Sequence, residues 1–299
     1  MRYSDRNVNG MRDGNQRRSR PGDRVDGRSR PGNCGNHDLV FRARRSGFGA
    51  ALLACSLIFM GGYRAAVSRI QLTISAAISL QNALQDVAVL YHAAHPNVTV
   101  RLNVGASGTL QRQIEQGAPV DLFLSAAESE MDGLGNKNLI LHDTRKNLLT
   151  NSVVLVVPKG HTEIRRFQDL AKPEIKIIAI GNPQSVPAGR YAQQVLTHFG
   201  LYKNLTPKFV LAKDVRAVLT YVETANADAG IVYETDALTT NRVAVVATAP
   251  PGSHEPVVYP VAVIAGSRNA PAAKAFEEFL FGHESAAVFR KYGFHPVAH

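Results

Sequence analysis

The chain has 299 residues, of which 45% are hydrophobic and 19% are charged, with no Trp and a formal net charge of +10. This composition favours one large or two ordinary folded domains and excludes a mostly disordered protein or one with many membrane spans. The charge is uneven: residues 1–68 hold 13 Arg against 5 Asp, whereas residues 69–299 hold 21 basic against 19 acidic side chains. The larger part is nearly neutral, which argues against nucleic acid as a partner.

The first 68 residues divide into two segments. Residues 1–38 are rich in Arg, Gly, Asn, Asp and Ser, and we expect a disordered or untranslated leader. Residues 39–68 have the pattern of a secretory signal peptide: basic residues at 42–45, an apolar run at 48–60 and small residues up to Ser68. The apolar run is shorter than the roughly 20 residues that span a bilayer. We expect cleavage after Ser68, with an uncleaved membrane anchor, a lipoprotein modified at Cys55 and a twin-arginine signal as alternatives.

Both cysteines, Cys34 and Cys55, lie in this first part of the chain. Residues 69–299 therefore contain no thiol that could form a disulfide, bind zinc or act as a nucleophile.

From residue 70 onward, short β-branched runs alternate with amphipathic segments, a pattern typical of an α/β fold. The predicted strands are 71–75, 98–104, 121–125, 153–157, 175–180, 208–211, 230–233, 243–247 and 257–264. The clearest predicted helices are 79–95, 109–116, 188–199, 214–225 and 271–280.

Nine strands are many for one sheet but suit two lobes. A continuous apolar strand at 151–158 follows a polar segment, and Pro and Gly at 250–252 separate two later strands. We therefore predict lobe 1 from residues 69–150 plus 250–299 and lobe 2 from residues 151–249, with a ligand cleft between them. Ligands of such sheets bind at the carboxyl ends of strands, where helices begin.

Two serines occupy such strand-to-helix junctions in the first lobe. Ser79 follows the first predicted strand, and Ser107 follows the second. Each combines a hydroxyl with unpaired N–H groups at a helix N-terminus, which together favour a bound anion.

Three residues of the second lobe have comparable positions. Ala188 follows a Pro at a helix start, Val215 follows the N-cap residue Asp214, and Tyr233 ends a strand. Each of the five junction residues alone is more often a cap or a packing residue, so only their combination indicates a site for an oxyanion.

Residues 70–294 resemble the periplasmic molybdate-binding proteins of ABC importers. The matching motifs, in order, are AAISL at 76–80, SGTL at 107–110, GAPVDLFLSA at 117–126, VPAGRYA at 186–192, DVR at 214–216, GIVY at 230–233 and FRKYGF at 289–294.

This resemblance implies a type II periplasmic-binding-protein fold with two mixed, mostly parallel sheets, flanking helices and a central cleft. It implies that molybdate or tungstate is bound by the hydroxyl and N–H groups of Ser79 and Ser107, the N–H groups of Ala188 and Val215, and the hydroxyl of Tyr233. It also implies a soluble, monomeric periplasmic protein that passes its ligand to an ABC permease, without catalytic residues, a cofactor or a bare metal cation.

Two positions depart from the usual family motifs. Ile78 replaces a smaller residue before the serine, and strand alternation predicts that its side chain points away from the ligand. Gly108 stands where a second serine is common, which removes a hydroxyl but keeps the N–H.

Three alternatives remain open at this point. The first is a binding protein for another oxyanion such as sulfate. The second is a secreted hydrolase, although the sequence contains neither a Gly-x-Ser-x-Gly elbow nor a His-Glu-x-x-His motif. The third is the effector-sensing domain of a regulator, which would need an attached DNA-binding segment.

Overall fold

A computed structural model describes residues 69–297. The predicted leader at 1–38 and the predicted signal peptide at 39–68, with Cys34 and Cys55, lie outside these residues.

The described part of the chain alternates strands and helices as the sequence predicts. Its strands are β1 (Ile70–Ala77), β2 (Val98–Gly105), β3 (Leu122–Leu124), β4 (Lys146–Asn151), β5 (Val153–Pro158), β6 (Ile178–Gly181), β7 (Phe209–Ala212), β8 (Ala229–Tyr233), β9 (Val243–Thr248), β10 (Val257–Val263) and β11 (His295–Pro296). Its α-helices are α1 (Gln81–Ala94), α2 (Ser107–Glu115), α3 (Glu128–Asn136), α4 (Pro187–His198), α5 (Tyr202–Leu205), α6 (Val215–Glu223), α7 (Glu234–Ala237), α8 (Ala270–Leu280) and α9 (His283–Lys291).

The strands form two mixed sheets with flanking helices, which confirms the predicted α/β fold class, but the sheets are less parallel than expected: four of the nine strand pairs in the described residues are parallel. One sheet has the order β11-β4-β10-β3-β1-β2, and we call it and its helices lobe 1. The other has the order β7-β6-β8-β5-β9, and we call it and its helices lobe 2. In lobe 1 the strand β1 runs parallel to β2 and β3, and in lobe 2 the strand β6 runs parallel to β7 and β8. The remaining pairs are antiparallel and involve β4, β5, β9, β10 and β11, so the parallel part of each sheet has three strands.

The chain passes between the sheets twice. It leaves lobe 1 at the end of β4 and enters lobe 2 with β5, and it returns between β9 and β10. The strands on either side of residues 150 and 250 therefore belong to different sheets. The domain boundaries expected from the sequence remain a proposal.

Burial explains why these segments fold as they do. Every residue of β5 and of β8 is buried, as expected for central strands covered on both faces. Helices α4 and α6 pack on the sheet of lobe 2, and α8 packs on that of lobe 1. Helix α1 buries Ala83, Leu84, Val87 and Tyr91 as predicted, whereas Leu90 is 36% exposed because it lies at the edge of that face.

The sequence prediction misses strands β4 and β11, and the clearest predicted helices do not include α3, α5, α7 and α9. Strand β4 reads KNLLTN, which mixes polar and apolar residues without clear alternation, and its partners β10 and β11 are more than one hundred residues away. Its pairing with β10 supplies the stabilisation that the local sequence does not predict.

Candidate functional site

One cavity between the lobes is lined by all five predicted site residues. It contains about 210 Å³ of empty space, its mouth included. Its lining consists of Ala77, Ile78, Ser79, Gly105, Ala106, Ser107, Ala126, Val186, Pro187, Ala188, Val215 and Tyr233.

Lobe 1 contributes the ends of two parallel strands. Strand β1 ends at Ala77, and a 3₁₀ turn over Ile78–Leu80 carries Ser79 before α1 begins. Strand β2 ends at Gly105, and Ser107 is the first residue of α2. Both serines are buried, and their hydroxyl oxygens have protein partners: Ser79 Oγ lies 3.1 Å from Tyr259 Oη, and Ser107 Oγ accepts the N–H of Ala126 at 3.0 Å.

Lobe 2 contributes the first turns of two helices and the end of a strand. Ala188 is the second residue of α4 after Pro187, and Val215 is the first residue of α6. The N-cap of α6 is Asp214, whose carboxylate accepts the N–H of Ala217 at 2.8 Å. N–H groups in a first turn have no acceptor within their own helix, so those of Ala188 and Val215 are suited to a ligand.

The start of α4 reaches the sheet because Gly189 has no side chain. A Cβ atom at position 189 would lie 2.1 Å from the carbonyl oxygen of Gly181, at the end of β6. This close approach brings the first turn of α4, with Ala188, to the carboxyl edge of the sheet. The motif VPAGRYA contains this glycine, but the local sequence alone does not predict how closely α4 approaches β6.

An ion pair connects helices α6 and α7, which begin at or directly after the predicted site residues Val215 and Tyr233. Arg216 Nε lies 2.7 Å from Asp236 Oδ1, and the Asp236 side chain is fully buried. Burial raises the pKa of Asp236 to about 6, while the Arg216 guanidinium acts in the opposite direction. Arg216 follows Val215 and Asp236 lies in the helix after Tyr233, so the pair joins the segments that follow these two predicted site residues.

The electrostatics of the cavity favour an anion. Among the described residues, none of those lining the cavity has a charged side chain, and the polar side chains are hydroxyls. Residues at the N-termini of α2, α4 and α6 meet there, and a helix N-terminus carries a partial positive charge. Burial raises the pKa of the Tyr233 phenol well above its ordinary value, so its hydroxyl stays a neutral donor.

Two positions next to the serines differ from the usual family motifs. Ile78 is among the residues that line the cavity, and it also packs against the hydrophobic core, so the direction of its side chain relative to the ligand remains a prediction. The N–H of Gly108 is present but already used: it donates to the carbonyl oxygen of Ser185 in lobe 2 at 3.1 Å.

Further contacts join the lobes around the cavity. Arg190 Nη2 lies 2.6 Å from Glu130 Oε1 and donates to Ser129 Oγ at 2.7 Å. The Tyr191 and Tyr233 hydroxyls each make a long, 3.5 Å hydrogen bond to the carbonyl oxygen of Ala126. Arg190 and Tyr191 lie in the motif VPAGRYA, but their contacts with Glu130 and Ala126 are not predicted from it, because pairs from different lobes leave no local pattern.

Other kinds of site are not found in the described part of the chain. Within residues 69–297 no cluster of His, Cys, Asp and Glu side chains could hold a metal ion. No helix in that range is long and apolar enough to cross a membrane.

Comparison with known proteins gives a consistent result. Residues 72–295 match the family of bacterial extracellular solute-binding proteins. A Bacillus subtilis protein named as an ABC transporter substrate-binding lipoprotein, YvgL, is 44% identical over 76% of this chain and 86% of its own length. The molybdate-binding protein ModA of Escherichia coli is 42% identical over 75% of this chain and 88% of its own length.

A solved structure extends this similarity to three dimensions. The periplasmic molybdate-binding protein of Azotobacter vinelandii superimposes with a TM-score of 0.68 at 26% identity, covering 75% of this chain and 98% of that chain. The chain therefore belongs to the bacterial extracellular solute-binding protein family and, within it, is a ModA-like substrate-binding protein.

Proposed function

We propose that this protein captures molybdate, and tungstate equally, in the cavity between its lobes and delivers it to an ABC permease. The observation that carries the proposal is the meeting of three helix N-termini and three hydroxyls in one cavity whose lining has no charged side chain. Such a set of neutral donors suits a doubly charged oxyanion that accepts a hydrogen bond at every oxygen. The names of its relatives indicate which oxyanion it is.

Five residues bind the oxyanion in this proposal. Ser79 and Ser107 donate from lobe 1 through their hydroxyls and N–H groups. Ala188 and Val215 donate through backbone N–H groups of lobe 2. Tyr233 donates through its hydroxyl, whose single hydrogen turns to the anion from its long, 3.5 Å bond to the carbonyl oxygen of Ala126. No cofactor or bare cation takes part, because the ligand is a complete anion that is bound and released unchanged.

Size and protonation select the ligand. Molybdate and tungstate have nearly the same size, whereas sulfate is smaller and leaves some donors out of reach. Each lost hydrogen bond costs about 1–3 kcal/mol, so losing two or three rejects sulfate by several orders of magnitude. A protonated phosphate needs an acceptor, which the five donor groups do not provide.

Binding requires the two lobes to separate and to close again. We infer that the anion first binds Ser79 and Ser107 in an open form and that lobe 2 then closes with Ala188, Val215 and Tyr233. The contacts of Gly108 with Ser185 and of Arg190 with Glu130 form on closure, and the closed surface is the one that the permease recognises.

The protein acts outside the cytoplasm as a soluble periplasmic monomer without catalytic activity. No histidine lies among the described residues that line the cavity, so a hydrolytic mechanism would lack a base beside Ser79 or Ser107. The lipoprotein name of one relative keeps lipidation at Cys55 as the alternative to a cleaved signal peptide. The mass of the N-terminal peptide of the exported protein distinguishes the two.

Isothermal titration of the purified protein with molybdate, tungstate, sulfate and phosphate, each in a separate run, tests the proposal. We expect one-to-one binding of molybdate and tungstate and no signal from sulfate or phosphate. Sulfate binding as tight as molybdate binding would leave the transport role and change the ligand. No binding of any of the four anions would refute the proposed function.

A further inference from the structure

A buried group of polar side chains lies behind Ser79, outside the five site residues. It consists of Tyr259 in β10, Asn151 at the end of β4 and Thr235 in α7. Tyr259 and Thr235 are almost completely buried, and Asn151 is half-buried. Hydrogen bonds connect the three to Ser79, and the direction of each bond follows from the chemistry of the groups.

The orientation of the Asn151 amide is fixed by the backbone. The N–H of Ser152 donates to Asn151 Oδ1 at 2.9 Å, and because a backbone N–H can only donate, this atom is the carbonyl oxygen. The amide nitrogen of Asn151 then has two hydrogens, which it donates to Thr235 Oγ1 at 2.8 Å and to Tyr259 Oη at 3.2 Å.

The Tyr259 phenol therefore accepts from Asn151 and must place its own hydrogen elsewhere. Ser79 Oγ, at 3.1 Å, is the second hydrogen-bond partner of this hydroxyl in the described part of the chain. If Ser79 donated instead, the phenol hydrogen would be buried without an acceptor, which is costly. Burial also raises the pKa of Tyr259, so the phenol remains protonated. Tyr259 is thus the donor and Ser79 Oγ the acceptor.

The hydroxyl hydrogen of Ser79 is then left to point into the cavity that Ser79 lines. Ser107 is prepared in the same way, because its Oγ already accepts the N–H of Ala126. Each oxygen keeps a second lone pair, but among the described residues neither hydroxyl hydrogen has a protein acceptor, so each hydrogen is available to the ligand.

We propose that Tyr259, oriented by Asn151, is a positioning and specificity-determining residue that fixes the Ser79 hydroxyl as a donor to the bound anion. This inference rests on the proposed function. A hydroxyl free to rotate could readily accept a hydrogen bond from a protonated anion, whereas one held as a donor accepts poorly, because turning its hydrogen away from the anion leaves that buried hydrogen without an acceptor. The Asn151–Tyr259 pair therefore favours fully deprotonated oxyanions over hydrogen phosphate.

A double-mutant cycle with molybdate tests the positioning role. We expect Tyr259→Phe to weaken molybdate binding about tenfold, because the Ser79 hydroxyl loses its fixed direction and part of its hydrogen bond to the anion. In a Ser79→Ala background, the same Tyr259→Phe change is expected to have less than about a twofold effect, because the group through which Tyr259 acts is gone. Equal losses in both backgrounds would show a purely structural role and overturn the proposal.

Two further variants make the experiment decisive. Tyr91→Phe is the matched control, because Tyr91 is buried in the same lobe and does not line the cavity, and we expect unchanged affinity. Asn151→Ala leaves Tyr259 in place but removes the donor that orients the Tyr259 hydroxyl. The effect of Asn151→Ala on molybdate affinity should therefore also vanish in the Ser79→Ala background. Asn151→Ala replaces Tyr259→Phe if that variant does not fold.

Competition with inorganic phosphate at neutral pH tests the specificity role. We expect phosphate to displace molybdate from Tyr259→Phe at concentrations that leave the wild-type complex intact. If Tyr259→Phe and the wild-type protein have the same ratio of molybdate affinity to phosphate affinity, or if phosphate displaces molybdate from neither protein, the specificity role is overturned. Failure of the wild-type protein to bind molybdate would instead refute the proposed function, so the two failures are distinguishable.

Discussion

At the scale of single residues, Ser107 has two functions in one hydroxyl. Its oxygen accepts the N–H of Ala126, and its hydrogen, which has no protein acceptor among the described residues, is available to a ligand in the cavity that Ser107 lines. Ser107→Ala is therefore expected to weaken molybdate binding by about 1–3 kcal/mol, through the lost charge-assisted hydrogen bond. It should also lower the free energy of unfolding by about 1–3 kcal/mol, because the Ala126 N–H loses its acceptor. Titration calorimetry and urea denaturation measure the two effects.

Ser125→Ala is the matched control for this prediction. Ser125 is also fully buried and accepts a neighbouring N–H, that of Ala127, at 3.2 Å, but it does not line the cavity. We expect it to lose stability and keep its affinity for molybdate. Equal affinities of Ser107→Ala and the wild-type protein would remove Ser107 from the site.

At the scale of elements, the 3₁₀ turn Phe167–Ala171 depends on one carboxylate. Asp169 accepts the N–H groups of Arg165 and Arg166 at 2.9 and 3.1 Å, and these bonds hold the pKa of Asp169 below its ordinary value. Because the folded-state pKa is lowered, the stabilisation is present above the unfolded pKa and is lost as pH falls through the folded one.

Asp169→Ala is accordingly expected to lower the free energy of unfolding by about 1–2 kcal/mol at pH 7, as for loss of a cap. The difference in the free energy of unfolding between Asp169→Ala and the wild-type protein should become smaller as pH falls below about 4, where the carboxyl of the unfolded chain is protonated. Urea denaturation over a pH series measures it. Asp132→Ala removes a carboxylate that is half exposed and pairs with Arg145, and it should change stability little. A pH-independent gap for Asp169→Ala would contradict the argument.

The start of α2 is shaped by Gly108, which meets the opposite lobe. A Cβ atom at this position would lie 2.9 Å from the carbonyl oxygen of Ser185. Gly108→Ala should therefore hinder full closure and weaken molybdate binding about tenfold or more, since small displacements at a site of fixed donors are costly. The loss should appear as faster dissociation in stopped-flow measurements.

Gly135→Ala is the control for the glycine effect. Gly135 also lies in a helix of lobe 1, but a Cβ atom there would make ordinary contacts, at 3.6 Å, with His142 and Ile140. We expect unchanged molybdate dissociation. If Gly108→Ala also dissociates at the wild-type rate, the Ser185 contact does not control closure.

How much the sequence predicts depends on the range of the interaction involved. Ser107 and Val215 were expected at helix starts because caps and strand ends are local patterns, and the structure places both there. The 3₁₀ turn that carries Ile78 after the end of β1 is not predicted, because the transition from strand to turn is decided by packing. The Gly108–Ser185 contact and the hydrogen bond from Tyr259 to Ser79 join residues that only the folded chain brings together. Ligand contact by the five site residues remains a prediction.

At the scale of the whole molecule, the proposed transport cycle requires the two lobes to open and to close. In the part of the chain that the structure describes, the Arg190–Glu130 ion pair joins the lobes, with side-chain exposures of 29% and 4%. Removing one partner of a buried pair leaves the other charge poorly solvated, which raises the free energy of the closed form relative to the open form.

Arg190→Met is therefore expected to weaken molybdate binding by about 1–3 kcal/mol, or roughly five- to 150-fold. Small-angle scattering should show that the variant needs more molybdate than the wild-type protein to contract. Arg242→Met is the matched control, because Arg242 pairs with Glu223 inside lobe 2 at 3.1 Å and should leave binding unchanged.

Removing Arg190 also removes a positive charge near an anion site, and Glu130→Gln separates this effect from closure. That substitution breaks the same pair but removes a negative charge, which by itself favours an anion. If both variants bind molybdate more weakly, the ion pair stabilises the closed form. If Glu130→Gln binds molybdate more tightly while Arg190→Met binds it more weakly, the net charge around the cavity, and not a contact between the lobes, controls affinity.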